Sequence, residues 1–140
     1  MVDRSLIGSS SDVYEYDVEK GAIRAFASAI GDQNSLYSDE SYARKCGYRS
    51  IVAPPTFPQT FKVPTPGLNV DKRRTVHGSQ EFIYERPIVA GDVLRCVNTL
   101  VDIKERPGKQ GPMIFFVFEI RGVDLDDELV FRSLTAVVYR

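Results

Sequence analysis

Apolar residues keep one spacing in the first third of this chain and another in its second half. Val18, Ala22, Ile23, Phe26, Ala27 and Ile30 recur every three or four positions. That spacing puts them on one face and predicts an amphipathic helix over 18–30. Asp17 is the expected N-cap, Glu19 sits in the first turn where the helix dipole favours an acid, and Gly31 is the expected stop. Ahead of it, Gly8-Ser9-Ser10-Ser11 reads as a flexible lead-in and Val13-Tyr14-Glu15-Tyr16 as a short strand. A second short helix is predicted after Ser38, through Tyr42-Ala43-Arg44-Lys45 to Gly47.

Residues 49–75 break the rhythm. Pro54, Pro55, Pro58, Pro64 and Pro66 forbid a long helix there beyond a turn or two around Thr56 to Phe61. A long irregular segment inside a domain of this size is often functional. Beyond it the spacing drops to two. Gln80–Tyr84, Val93–Ile103, Met113–Ile120 and Leu129–Tyr139 are rich in β-branched and aromatic residues and read as strands. Ile114, Phe116, Phe118 and Ile120 share one face, and Val130, Leu134, Ala136 and Val138 share another strand's face. Turn signals at Pro87 with Gly91-Asp92, at Pro107–Pro112 and at Asp124–Asp127 separate them. Helices followed by a four-stranded antiparallel meander make one α+β domain over 1–140. Val97, Val101 and Ile103 lie opposite Leu94, Cys96 and Leu100, a surplus of apolar strand surface that predicts a dimer.

Charge and composition remove several classes. A formal net charge of −1 gives no general attraction to nucleic acid or to anionic membranes. The Met1–Gly8 stretch lacks the apolar run of a signal peptide, and no window approaches the roughly 18–20 apolar residues of a membrane span. Cys46 and Cys96 are too few and too far apart for a disulfide framework or a metal site, so both read as free thiols in a reducing cytoplasm. No cofactor is implied. Arg73-Arg74 reads as a solvated loop or, more sharply, as a phosphate contact.

The densest chemistry lies in Gly31-Asp32-Gln33-Asn34-Ser35-Leu36-Tyr37 and, further on, Ile51-Val52-Ala53-Pro54-Pro55-Thr56-Phe57. The pattern Gly31-Asp32-x-Asn34-x-Leu36-x-x-Asp39-x-x-Tyr42-Ala43 resembles the signature of MaoC-like (R)-specific enoyl hydratases and 3-hydroxyacyl dehydratases. Ala53-Pro54-Pro55-Thr56-Phe57, His77-Gly78-x-Gln80-x-Phe82-x-Tyr84-x-Arg86-Pro87 and Ala90-Gly91-Asp92 resemble the subgroup related to the N-terminal dehydratase half-domain. Together these motifs span the chain from about Asp12 onward.

The resemblance implies a hotdog fold, an antiparallel sheet wrapped around a central helix that would begin near Thr56–Phe61, with two hotdogs side by side. It implies addition of water to a 2-enoyl thioester or its removal from a 3-hydroxyacyl thioester. In that chemistry an aspartate and a histidine five residues later share one water as base and acid, while backbone N–H groups polarise the thioester carbonyl. Asp32 matches the aspartate and Asn34 the asparagine that fixes the turn. Tyr37 stands where the histidine belongs, and Pro55, which has no N–H, stands where active relatives place a glycine.

Each residue also has a plainer reading. Asp32 and Asn34 are turn formers, Tyr37 a packed aromatic, and His77 (the single histidine) a structural residue at the head of a strand. His77 is a minor substitute for the absent histidine, and Pro55 and Thr56 fix the entry to the central helix and line the pocket. The leading reading is a cytoplasmic hydratase/dehydratase-class subunit, non-catalytic or weakly catalytic, paired with a second hotdog as homodimer or heterodimer. The alternatives are a binding module for acyl-CoA or acyl carrier protein, or a thioesterase.

Overall fold

A computed structural model describes residues 3–140; Met1 and Val2, where the expected leaderless start begins, lie outside them. Five antiparallel strands form one sheet: β1 (Tyr14–Asp17), β2 (Thr75–Tyr84), β3 (Val93–Gly108), β4 (Gly111–Val123) and β5 (Leu129–Tyr139). Their order is β1-β3-β4-β5-β2. The expected four-strand meander is therefore corrected. β3, β4 and β5 follow one another, but β2 crosses over to pair with β5, and β1 adds to the free side of β3. Non-local pairing of this kind leaves no mark in local spacing.

Helix α1 (Lys20–Ala29) turns Ile23 and Ala27 into the sheet. Asp17 does not cap it. The ladder with β3 uses Asp17, and Val18 still pairs strand-like: its N–H donates to the Asp92 carbonyl and its own carbonyl accepts from Gly91 (both 2.8 Å). The helix accordingly starts later, with Glu19 in the cap position and making no side-chain cap bond. Gly31 ends it at a φ of +72°, where its N–H reaches Ser28 and that of Asp32 reaches Ala27. Helix α2 (Glu40–Lys45) is capped by Asp39, whose carboxylate accepts from the Tyr42 N–H at 3.1 Å.

Two apolar clusters fill the concave side. The larger joins Ile23 and Ala27 of α1 with Phe57, Phe61, Leu94, Cys96 and Phe131. The smaller joins Leu100, Ile103, Phe116 and Phe118, covered by Leu6, Ile7, Leu68 and Val70. A sheet curved over a helix is the hotdog arrangement, but the wrapped helix is α1. The segment expected to begin it, Phe57–Thr60, is a single 3-10 turn.

Three further expectations are corrected. Gly8–Ser11 is not loose: Gly8 and Ser11 donate to the Leu100 and Asn98 carbonyls (both 2.8 Å), and Leu100 donates back to Ser9. Ile103 faces the core with Leu100 rather than sharing the Val97–Val101 side, because a bulge between Leu100 and Asp102 shifts the alternation by one. On β5 the expected face holds only in part: Val130 is in the core with Phe131, but further along Val137 and Tyr139 pack on the core, not Leu134, Ala136 and Val138.

Candidate functional site

The Asp32 loop begins where α1 stops. Its carboxylate accepts from the Asn34 N–H at 3.1 Å, and the Asn34 side-chain oxygen accepts from the Leu36 N–H at 3.0 Å. Two successive side-chain turns thus lead into the 3-10 segment Ser35–Tyr37. Asp32 and Asn34 remain exposed, whereas Tyr37 is buried. Burial pushes the Tyr37 phenol above its ordinary range, and the nearby Asp32 charge pushes it the same way.

The second part of the site is clamped to the first. Val52 donates to the Leu36 carbonyl and Ala53 to that of Ile88, both at 2.8 Å. The chain then turns over Pro54–Phe57, the Phe57 N–H reaching the Pro54 carbonyl at 2.9 Å. Phe57 meets Phe26 of α1 edge to face, with ring centres 5.7 Å apart. Since α1 carries the Asp32 loop on its end, this contact fixes the proline turn beside that loop. Pro55 and Thr56 are exposed at the tip, over a buried Pro54. Pro55 brings no N–H, and the Thr56 N–H makes none of the turn's hydrogen bonds.

Asp32, Asn34, Tyr37, Pro55 and Thr56 therefore share one corner of the fold. His77 does not join them. It lies near the start of β2, about 23 Å along the strand from Tyr84, and its ring meets Gln80 at 3.2 Å. Two residues at this corner belong to the quoted motifs but carry no site role in them. Tyr84 donates its hydroxyl to the Pro55 carbonyl; a half-buried phenol in a strand needs such a partner, which was the available signal. Asp92 was read as part of a turn, yet its buried carboxylate accepts from Arg86 and Arg49 (both 2.8 Å) and from the Val89 N–H (2.9 Å). It pins the 86–92 turn that in turn holds Ala53. Among the described residues no cluster of three or more His, Cys, Asp or Glu could hold a metal ion.

Comparison with known proteins agrees with the fold. Residues 5–133 match the family described as FAS1-like, dehydratase domain region. The chain belongs to the MaoC-like hotdog dehydratase family. A UPF0336 protein of Thermobifida fusca is 38% identical over 147 residues, covering 99% of this chain and 94% of the relative. The HadBC (3R-hydroxyacyl-ACP dehydratase) complex of Mycobacterium tuberculosis superposes with a TM-score of 0.80 at 24% identity, covering 98% of both chains. A MaoC-like dehydratase of Rhodospirillum rubrum gives 0.73 at 25% identity, over 95% of this chain and 91% of that one. Among the described residues no helix is long and apolar enough to cross a membrane.

Proposed function

We propose that this chain is the non-catalytic or weakly catalytic member of a hotdog pair that hydrates 2-enoyl thioesters or dehydrates 3-hydroxyacyl thioesters. The acyl group would be carried on coenzyme A or on an acyl carrier protein. The observation that carries the reading is Tyr37. A phenol held above its ordinary pKa of about 10 keeps its proton at pH 7. It can donate to a water beside Asp32 but cannot take that water's proton and return it. Pro55 removes one N–H from the turn facing the thioester, which weakens any oxyanion stabilisation there. The partner hotdog would supply the aspartate and histidine, while this chain contributes the Pro54–Phe57 corner to the acyl-binding wall. A pair of this kind is supported by the likeness to the HadBC complex.

Co-expression with candidate hotdog partners and an assay of crotonyl-thioester hydration tests it. The pure chain is expected to be inactive or nearly so, and the pair active whether or not Asp32→Asn is present. Robust turnover by the pure chain, abolished in Asp32→Asn, overturns the reading.

A further inference from the structure

The end of the sheet away from the Asp32 corner holds a cavity of about 930 Å³. It forms where the start of β2, the β3–β4 hairpin and the end of β5 meet. Along β5 it lies about 26 Å from Phe131, so it is separate from the Asp32 corner of the same chain. Arg73, Arg74, Lys109 and Arg140 line it, and no aspartate or glutamate does. Met113, Ile114 and Val76 supply an apolar wall.

The cations are only partly balanced in place, Asp71 lying close to Arg73 and within electrostatic reach of Arg74. Arg73 pairs with Asp71 at 3.0 Å, but Arg74, Lys109 and Arg140 have no aspartate or glutamate oxygen within 4.0 Å among the described residues. Elsewhere the basic side chains are mostly paired: Arg44 with Glu40, Arg49 and Arg86 with Asp92, Arg132 with Glu119. The chain as a whole is slightly acidic, so this gathering of positive charge is local. Arg74 is also oriented in advance. It donates to the Arg140 carbonyl at 2.7 Å and the Tyr139 hydroxyl at 2.9 Å, and its guanidinium lies 4.5 Å above the Tyr139 ring. Clustered like charges repel unless an anion joins them, and a held guanidinium meets phosphate oxygens in its own plane.

We propose that this cavity binds a nucleotide carrying two or more phosphates, the cations taking the phosphates and the apolar wall the nucleoside. A lone phosphate would need neither the wall nor the volume, and a concave site of this size suits a small ligand. Such a group occurs free and as the ADP part of coenzyme A. The inference stands whether or not Asp32 and Tyr37 act on a thioester.

Calorimetric titration of coenzyme A, ADP and pyrophosphate into the full chain at low ionic strength tests it. Saturable binding of coenzyme A or ADP is expected, about fivefold or more tighter than pyrophosphate and weakened about fivefold or more by Arg74→Gln with Lys109→Gln. Coenzyme A alone binding would name the carrier as source; binding of both would name the shared diphosphate; ADP alone, the free nucleotide. Lys109→Gln alone, on the exposed hairpin, should weaken binding in the same direction, and Arg24→Gln on α1 should not. No saturation below about 1 mM, equal affinity for pyrophosphate, or indifference to the Arg74 and Lys109 changes overturns the proposal.

Discussion

The Tyr84 hydroxyl donates to the Pro55 carbonyl, so the last residue of β2 holds the proline turn beside the Asp32 loop. Burial pushes this phenol upward as well, and it stays a donor across the physiological range. Tyr84→Phe keeps the ring and its packing on Phe131 but leaves the carbonyl without that donor. A loss of about 1 kcal/mol in urea unfolding is expected. Amide exchange at Phe57, whose N–H closes the turn on Pro54, should quicken. Unchanged exchange there would show that the turn holds itself.

Restoring the missing chemistry is a direct check on the site. Tyr37→His with Pro55→Gly gives Asp32 an imidazole titrating near 6.5 and the turn an additional N–H. General acid–base catalysis contributes roughly 10²–10⁴ in rate, and one oxyanion donor roughly 10²–10³. The double variant should therefore gain measurable crotonyl-thioester hydration with a rate that depends on pH around neutrality. Adding Asp32→Asn should remove the gain, while Tyr37→Phe should produce none. A double variant as inert as the parent would place the obstacle elsewhere in the corner.

Acid should unfold this chain partly through Asp92. Burial raises its carboxyl pKa, but hydrogen bonds from Arg86 and the Val89 N–H, with the charges of Arg86 and Arg49, outweigh that and leave it below its ordinary value. A depressed folded-state pKa means the contribution is complete above the unfolded value of about 3.9 and fades as pH falls through the folded one. Asp92→Asn should cost about 3 kcal/mol at pH 7, the low end for a broken buried pair, because Arg49 and Arg86 keep access to water. Its stability should also fall less between about pH 5 and pH 2 than the parent's, as measured by urea unfolding across that range.

What could be read along the chain was whatever repeats within a few residues. The three- and four-residue spacing of Ile23, Phe26 and Ala27 marked α1, the glycine after Ile30 marked its end, and Asp32 with Asn34 marked a turn. What could not be read was set by partners far along the sequence. Ser9 reaches Leu100, β2 reaches β5, and Val18 reaches Gly91 and Asp92, which displaced the expected helix cap. Ile103 was placed on the wrong side because Val101, an extra residue between the paired Leu100 and Asp102, inverts a period of two. Motif order singles out Asp32, Tyr37 and Pro55 as candidates, while the Tyr84 and Asp92 contacts need the fold to bring them together.

Gly122 is the sharpest packing test. A Cβ there would stand 2.1 Å from one Phe131 ring carbon and 2.6 Å from the next, although the backbone itself accepts any residue. Phe131 cannot simply step aside. Its ring is fully buried and lies 6.1 Å from Phe61 and 6.2 Å from Tyr84, so rotation would carry the clash into both. Gly122→Ala should therefore destabilise the chain by about 1–3 kcal/mol, the range for overpacked cores. If the cause is this one contact, Phe131→Leu in the same chain should cost much less than in the parent, because the smaller side chain relieves the clash it also vacates. A double-mutant cycle in urea measures that coupling, and additive losses would show that Gly122 is needed for another reason.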